Sequence, residues 1–161
     1  MPYRMKDVCR GLVLASIIKS KETNLSLIEY GGLESKQVME VNAAVYLYFK
    51  HSSLLKTQKG RWQFVFSANN IRQIRELAST KGKTLALALI CCPRIFKAEK
   101  TEIAFIPPEE LKKVLHLDVA KQQIIYIDCP PKGKLTVTGP KNGDEPQKLK
   151  VSRNDIKNWN P

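Results

Sequence analysis

Eleven basic residues, Lys50, Lys56, Lys59, Arg61, Arg72, Arg75, Lys81, Lys83, Arg94, Lys97 and Lys100, fall between positions 50 and 100, where Glu76 and Glu99 are the only acids. That stretch alone accounts for +9 of the chain's formal net charge of +12. A surface of one sign repels itself and costs stability unless a partner of opposite sign uses it. The implied partner is a polyanion, and nucleic acid, DNA or RNA, suits best. Counterion release from phosphates rewards such a surface without any base-specific contact. An anionic membrane fits less well, because no basic amphipathic helix with a large aromatic face is present. Lys50, His51, Lys56, Lys59, Arg61, Arg72, Arg75, Lys81 and Lys83 are the candidate nucleic-acid contacts. Those from Lys50 to Trp62 would crowd one hairpin loop, with Tyr48 and Trp62 as stacking surfaces beside it.

Other chemistry finds little support. There is no GxxxxGK[ST], GxGxxG or GxSxG segment, so the common phosphate cradles and nucleophile elbows are absent. The four cysteines, Cys9, Cys91, Cys92 and Cys129, form no CxxC unit, and His51 and His116 no HxxxH unit. They read as reduced, mostly buried thiols rather than zinc ligands, and no metal or cofactor is expected. His51 at a strand end and His116 at a helix end read as solvated or capping side chains. No apolar run reaches the roughly 18 residues of a membrane span. Leu12 to Ile18 follows Asp7 and Arg10 and precedes no small-residue cleavage site, so the chain is expected to be cytoplasmic.

The elements that would position these residues make an α/β (α+β) fold, a mixed sheet flanked by helices. At 161 residues and 43% hydrophobic content the chain is expected to be one domain, with a core over about 7–118 and a β-rich extension over about 119–161. Asp7 caps a first helix to Ile18, with Val8, Leu12, Ala15 and Ile18 as its buried stripe. Strands are expected over Asn24 to Tyr30, Ala44 to His51 and Arg61 to Phe66, as one antiparallel meander. A helix over Asn69 to Thr80 buries Ile71, Ile74, Leu77 and Ala78 and shows Arg72 and Arg75 on another face. Thr84 to Cys91 is nearly all apolar, as in a strand covered on both faces. A strand over Glu102 to Ile106, a helix over Glu109 to His116 and a nearly neutral C-terminal meander complete the chain.

This order, a helix, three strands, a helix and an apolar strand, resembles the αβββαβ core of the restriction-endonuclease-like PD-(D/E)XK superfamily, over Asp7 to about Cys92. The resemblance implies metal-dependent phosphodiester hydrolysis, with an acid on the second strand and an acid-x-Lys triplet on the third. Here the aligned triplet is Tyr48-Phe49-Lys50, and Glu29 and Glu40 are the only nearby carboxylates. A tyrosine does not replace a metal-binding carboxylate at neutral pH. A nucleic-acid-binding protein without hydrolytic activity is therefore the leading expectation. The alternatives are a Mg2+-dependent nuclease using Glu29 or Glu40 with Lys50, and an interaction module for an acidic partner. A homodimer is compatible with all three.

Overall fold

The structure is a computed structural model that describes residues 4–18, 25–27, 37–53, 60–95, 97–142 and 144–159. Helix α1 spans Met5–Ile18, followed by strands β1 (Leu25–Leu27), β2 (Val38–Val41), β3 (Val45–Ser53) and β4 (Arg61–Phe66), helix α2 (Ala68–Ala78) and strand β5 (Thr84–Cys92). Strand β6 (Glu102–Ile106), the short helix α3 (Leu111–Val114) and strands β7 (Gln123–Asp128), β8 (Leu135–Asn142) and β9 (Glu145–Val151) follow. Five strands form a mixed sheet in the order β1-β2-β3-β5-β6, and four form an antiparallel sheet in the order β4-β7-β8-β9. In the mixed sheet β3 and β5 are parallel, paired from Val45↔Thr84 to Ser53↔Cys92, and all other neighbours are antiparallel.

Strand β5 explains the layering. Its Leu85, Leu87, Leu89 and Cys91 enter one core cluster, and its Ala86, Ala88, Ile90 and Cys92 enter the other. The larger leucine face packs on the inner face of the antiparallel sheet, on Trp62, Phe64, Phe66, Ile125, Ile127, Leu135 and Val137, and on α2. The alanine face leaves room for a helix to lie close, and α1 fills it with Cys9, Val13 and Ile17. The Sγ atoms of Cys9 and Cys92 are 3.0 Å apart across this contact. Strands β4 and β7 alternate buried with partly exposed residues, the mark of a sheet with one solvated face. Strand β9 is one of the two edges of that sheet, and its Lys148 and Lys150 are exposed. No helix among the described residues is long and apolar enough to cross a membrane.

Several sequence expectations shift. Helix α1 starts two residues before Asp7, and its buried stripe is Cys9, Val13 and Ile17 instead of Val8, Leu12, Ala15 and Ile18; Ile18 is exposed. Strand β2 was not expected, and β4 does not continue the first meander but pairs with β7 in the second sheet. The strands expected as an extension thus share a sheet and a core with β4. The helix expected over Glu109 to His116 is a 3-10 turn, Pro108–Glu110, followed by the single turn of α3. Of the strand expected over Asn24 to Tyr30, only Leu25–Leu27 lies within the described residues.

The β2–β3 turn explains why β2 is hard to read. Asn42 and Ala43 both have positive φ, 52° and 56°, and Ala44 N–H closes the turn on Val41 C=O at 3.1 Å. Such turns usually announce themselves as Asn-Gly, because a Cβ is strained in the left-handed region. Ala43→Gly is therefore expected to stabilise the protein by about 0.5–1 kcal/mol, measured by chemical denaturation. A loss of stability would contradict this hairpin.

Candidate nucleic-acid interface

Alternation along β3 sends Lys50 toward α2 and His51 toward α1. Lys50 Nζ donates to Asn70 Oδ1 at 3.3 Å and stands 5.4 Å from the centre of the Phe66 ring. Asn70 is buried, and its Oδ1 also accepts the Ser67 N–H at 3.1 Å, while Ser67 Oγ accepts the Asn70 N–H at 3.1 Å. This reciprocal capping box starts α2, and Lys50 is tied into it.

From that fixed start, the period of α2 turns Ile71, Ile74 and Leu77 inward and leaves Arg72 and Arg75 exposed. Arg72 Nη2 donates to Asn69 Oδ1, one turn back on the same surface. Lys81 is exposed in the turn that follows. Arg72, Arg75 and Lys81 take part in none of the ion pairs formed among the described residues.

Two other candidates are engaged inside the protein. Arg61 grips Asp128 with two hydrogen bonds, Nε to Oδ1 at 2.5 Å and Nη2 to Oδ2 at 2.9 Å, and its guanidinium lies 5.5 Å from the centre of the Tyr126 ring. The bond to Asp128 raises the Arg61 pKa further above its ordinary value. Lys83 pairs with Glu40 and stands 4.9 Å from the Tyr46 ring centre, and its pKa is likewise raised, chiefly by the bond to Glu40. Lys56, Lys59 and Glu29 lie outside the described residues. The expected stacking surfaces beside the loop are closed. Tyr48 is fully buried with its hydroxyl donating to Gln37 Oε1 at 2.7 Å, and buried Trp62 donates its Nε1–H to Cys92 C=O at 2.9 Å.

The nuclease arrangement does not assemble around Glu40. That residue pairs across the sheet with Tyr46, four residues before Lys50 on β3, a separation of about 13 Å along the strand. Its carboxylate already holds Lys83. Among the described residues, no three His, Cys, Asp or Glu side chains gather as a metal site would require. The residues present therefore do not fit a Mg2+ centre shared by Glu40 and Lys50.

Sequence reading missed Lys6 and Arg10 of α1, which the fold brings to the His51 end of β3. Burial, then the charges of Lys50 and Lys6, push the His51 pKa below its ordinary value. Arg10 lies over Phe49, its guanidinium carbon 5.2 Å from the ring centre. No local pattern announces this grouping, because it joins residues distant in sequence.

The class this fold defines is an α+β protein of a mixed and an antiparallel sheet sharing one core. No protein-family model, curated protein or solved structure matches the chain. The roles of the basic residues therefore rest on their environments, which separate by stability. Arg61→Gln is expected to lower stability by about 0.5–1 kcal/mol, since it leaves Asp128 without its partner. Arg72→Gln and Arg75→Gln should each stay within about 0.5 kcal/mol of the parent. Equal effects in thermal or chemical unfolding would refute the division between engaged and available cations.

Proposed function

We propose that the protein binds nucleic acid, DNA or RNA, through phosphate contacts from the exposed face of α2 and the turn after it, and that it does not cleave what it binds. One observation carries this reading. Arg72, Arg75 and Lys81 face solvent outside any ion pair among the described residues, within a segment of eleven bases and two acids. Cations that stabilise the fold, such as Arg61 and Lys83, have acidic partners; these have none among the described residues. A phosphate backbone supplies the missing charge and rewards each contact with released counterions.

The three strands first matched to the PD-(D/E)XK order do not share one sheet, since β4 leaves for the second; what supports a kinship is the order within the mixed sheet, α1, the antiparallel β1–β2–β3 and, after β4, α2 leading to β5 alongside β3. Tyr48 then occupies the third strand where a carboxylate would hold metal, and its hydroxyl is engaged with Gln37. A non-cleaving relative is the reading consistent with both.

Binding of labelled single- and double-stranded DNA and RNA, followed across salt concentrations, tests the proposal. The triple variant Arg72→Gln, Arg75→Gln, Lys81→Gln should flatten the slope of log affinity against log salt by about 2 to 3, with little dependence on sequence. Unchanged affinity and slope, or no binding by the parent at low salt, would sink it. With Mg2+ or Mn2+ added, the nucleic acid should remain intact. Cleavage that disappears in Glu40→Ala or Lys50→Ala would instead establish a nuclease.

A further inference from the structure

The carboxyl end of β3 presents a second group of cations, on the face opposite α2. Phe49 belongs to the core beneath α1, and alternation puts His51 on that same side. The Cys9–Cys92 contact fixes the first half of α1 over this end of the sheet, because Cys92 pairs with Ser53, two residues past His51. Arg10 therefore reaches over Phe49, and Lys6, one turn earlier, comes near enough for its charge to act on His51. Arg94, exposed, follows β5 at this same end.

Among the described residues no ion pair supplies this group with a counter-charge. Arg10 Nε is buried and has no hydrogen-bond partner, and neither Lys6 nor Arg10 joins an ion pair among the described residues. A buried donor left unmade is costly, and an anion placed there would remove the cost. Lys6, Cys9 and Arg10 of α1 and Cys92 of β5 stand on this side of His51; farther along α1, Glu99 and Glu102 line the cleft beside Leu12 and Ser16, and Asp155 lies in the turn packed on the helix. Lys50 acts from its own strand. Asp7 of α1 is exposed, about 100° around the helix from Lys6 and three residues before Arg10 on the adjoining surface, and it forms an ion pair with neither among the described residues.

We propose that Lys6, Arg10 and His51 form a phosphate-binding site, in which Arg10 and the protonated His51 ring donate to phosphoryl oxygens and Lys6 supplies further positive charge. Its natural occupant is a phosphodiester of bound nucleic acid, which rests on the function proposed above; free phosphate shares the same chemistry. Two histidines in the chain make the site readable by proton NMR, with His116→Gln assigning the His51 signal.

An anion here stabilises the imidazolium, so the bound state has the higher His51 pKa. Binding then takes up a proton, and affinity is greatest below the free-state pKa and falls as pH rises through the bound-state value. A single charge about 5 Å away raises the pKa by about half a unit even at the dielectric constant of water, which makes binding about threefold tighter on the acid side. Inorganic phosphate and, separately, a short oligonucleotide should each raise the His51 pKa by that amount or more. Lys6→Gln, at an exposed position, should raise the pKa of the free protein and shrink the shift on binding. Arg10→Gln should nearly abolish the shift, and His51→Gln the pH dependence of affinity.

The two readings fail separately. A His51 response to phosphate without oligonucleotide binding keeps the site and removes the nucleic-acid function. Oligonucleotide binding with no His51 response, and with affinity unchanged by Lys6→Gln, overturns the site and leaves that function standing. If His51 responds to neither, the site is refuted.

Discussion

Strand β5 must be covered on both faces, and most of the architecture answers that requirement. Eight of its nine residues are buried. A strand with Leu85, Leu87 and Leu89 on one face and Ala86, Ala88 and Ile90 on the other folds only if two different layers reach it. The wide leucine face takes a second sheet and α2, and the shallow alanine face takes α1. The crossover through β4 and α2 returns the chain to lie parallel beside β3, and β4 also joins the second sheet to the first.

The same period of two that builds the core distributes the charge. Neighbours on β3, Lys50 and His51, point to opposite layers, so the end of that strand faces two helices with cations at once. On the α2 side the lysine is absorbed by Asn70 and Phe66. On the α1 side neither Lys6 nor Arg10 is paired with an acid among the described residues. The difference between a structural and an available cation is thus decided by what the opposing helix supplies, not by the residue type.

The long periodic signals were legible in the sequence: the apolar stripe of α2, the apolar β5, and the strand at Glu102–Ile106. The failures have particular causes. Strand β2 has four residues and a turn with Ala43 where glycine would have marked it. Strand β4 alternates as any half-buried strand does, and nothing local says which sheet it joins. In α1 the stripes through Val8 and through Cys9 are nearly equal in hydrophobicity, so burial was decided by the alanine face it meets. Net charge marks a basic segment but cannot separate Arg61, held by Asp128, from Arg72, because pairing is a property of the assembled sheet.

The edge of the antiparallel sheet bears on how copies of this chain meet. Strand β9 offers unpaired backbone groups along one side, which is the usual template for a second copy to add its own strand. Lys148 and Lys150 stand on that strand, and each copy would bring the same two ammonium groups to the junction. Crowding four like charges along one seam opposes ribbon-like self-association, most strongly in dilute salt where screening is weak. The strand that closes the fold is thereby also guarded against extending it.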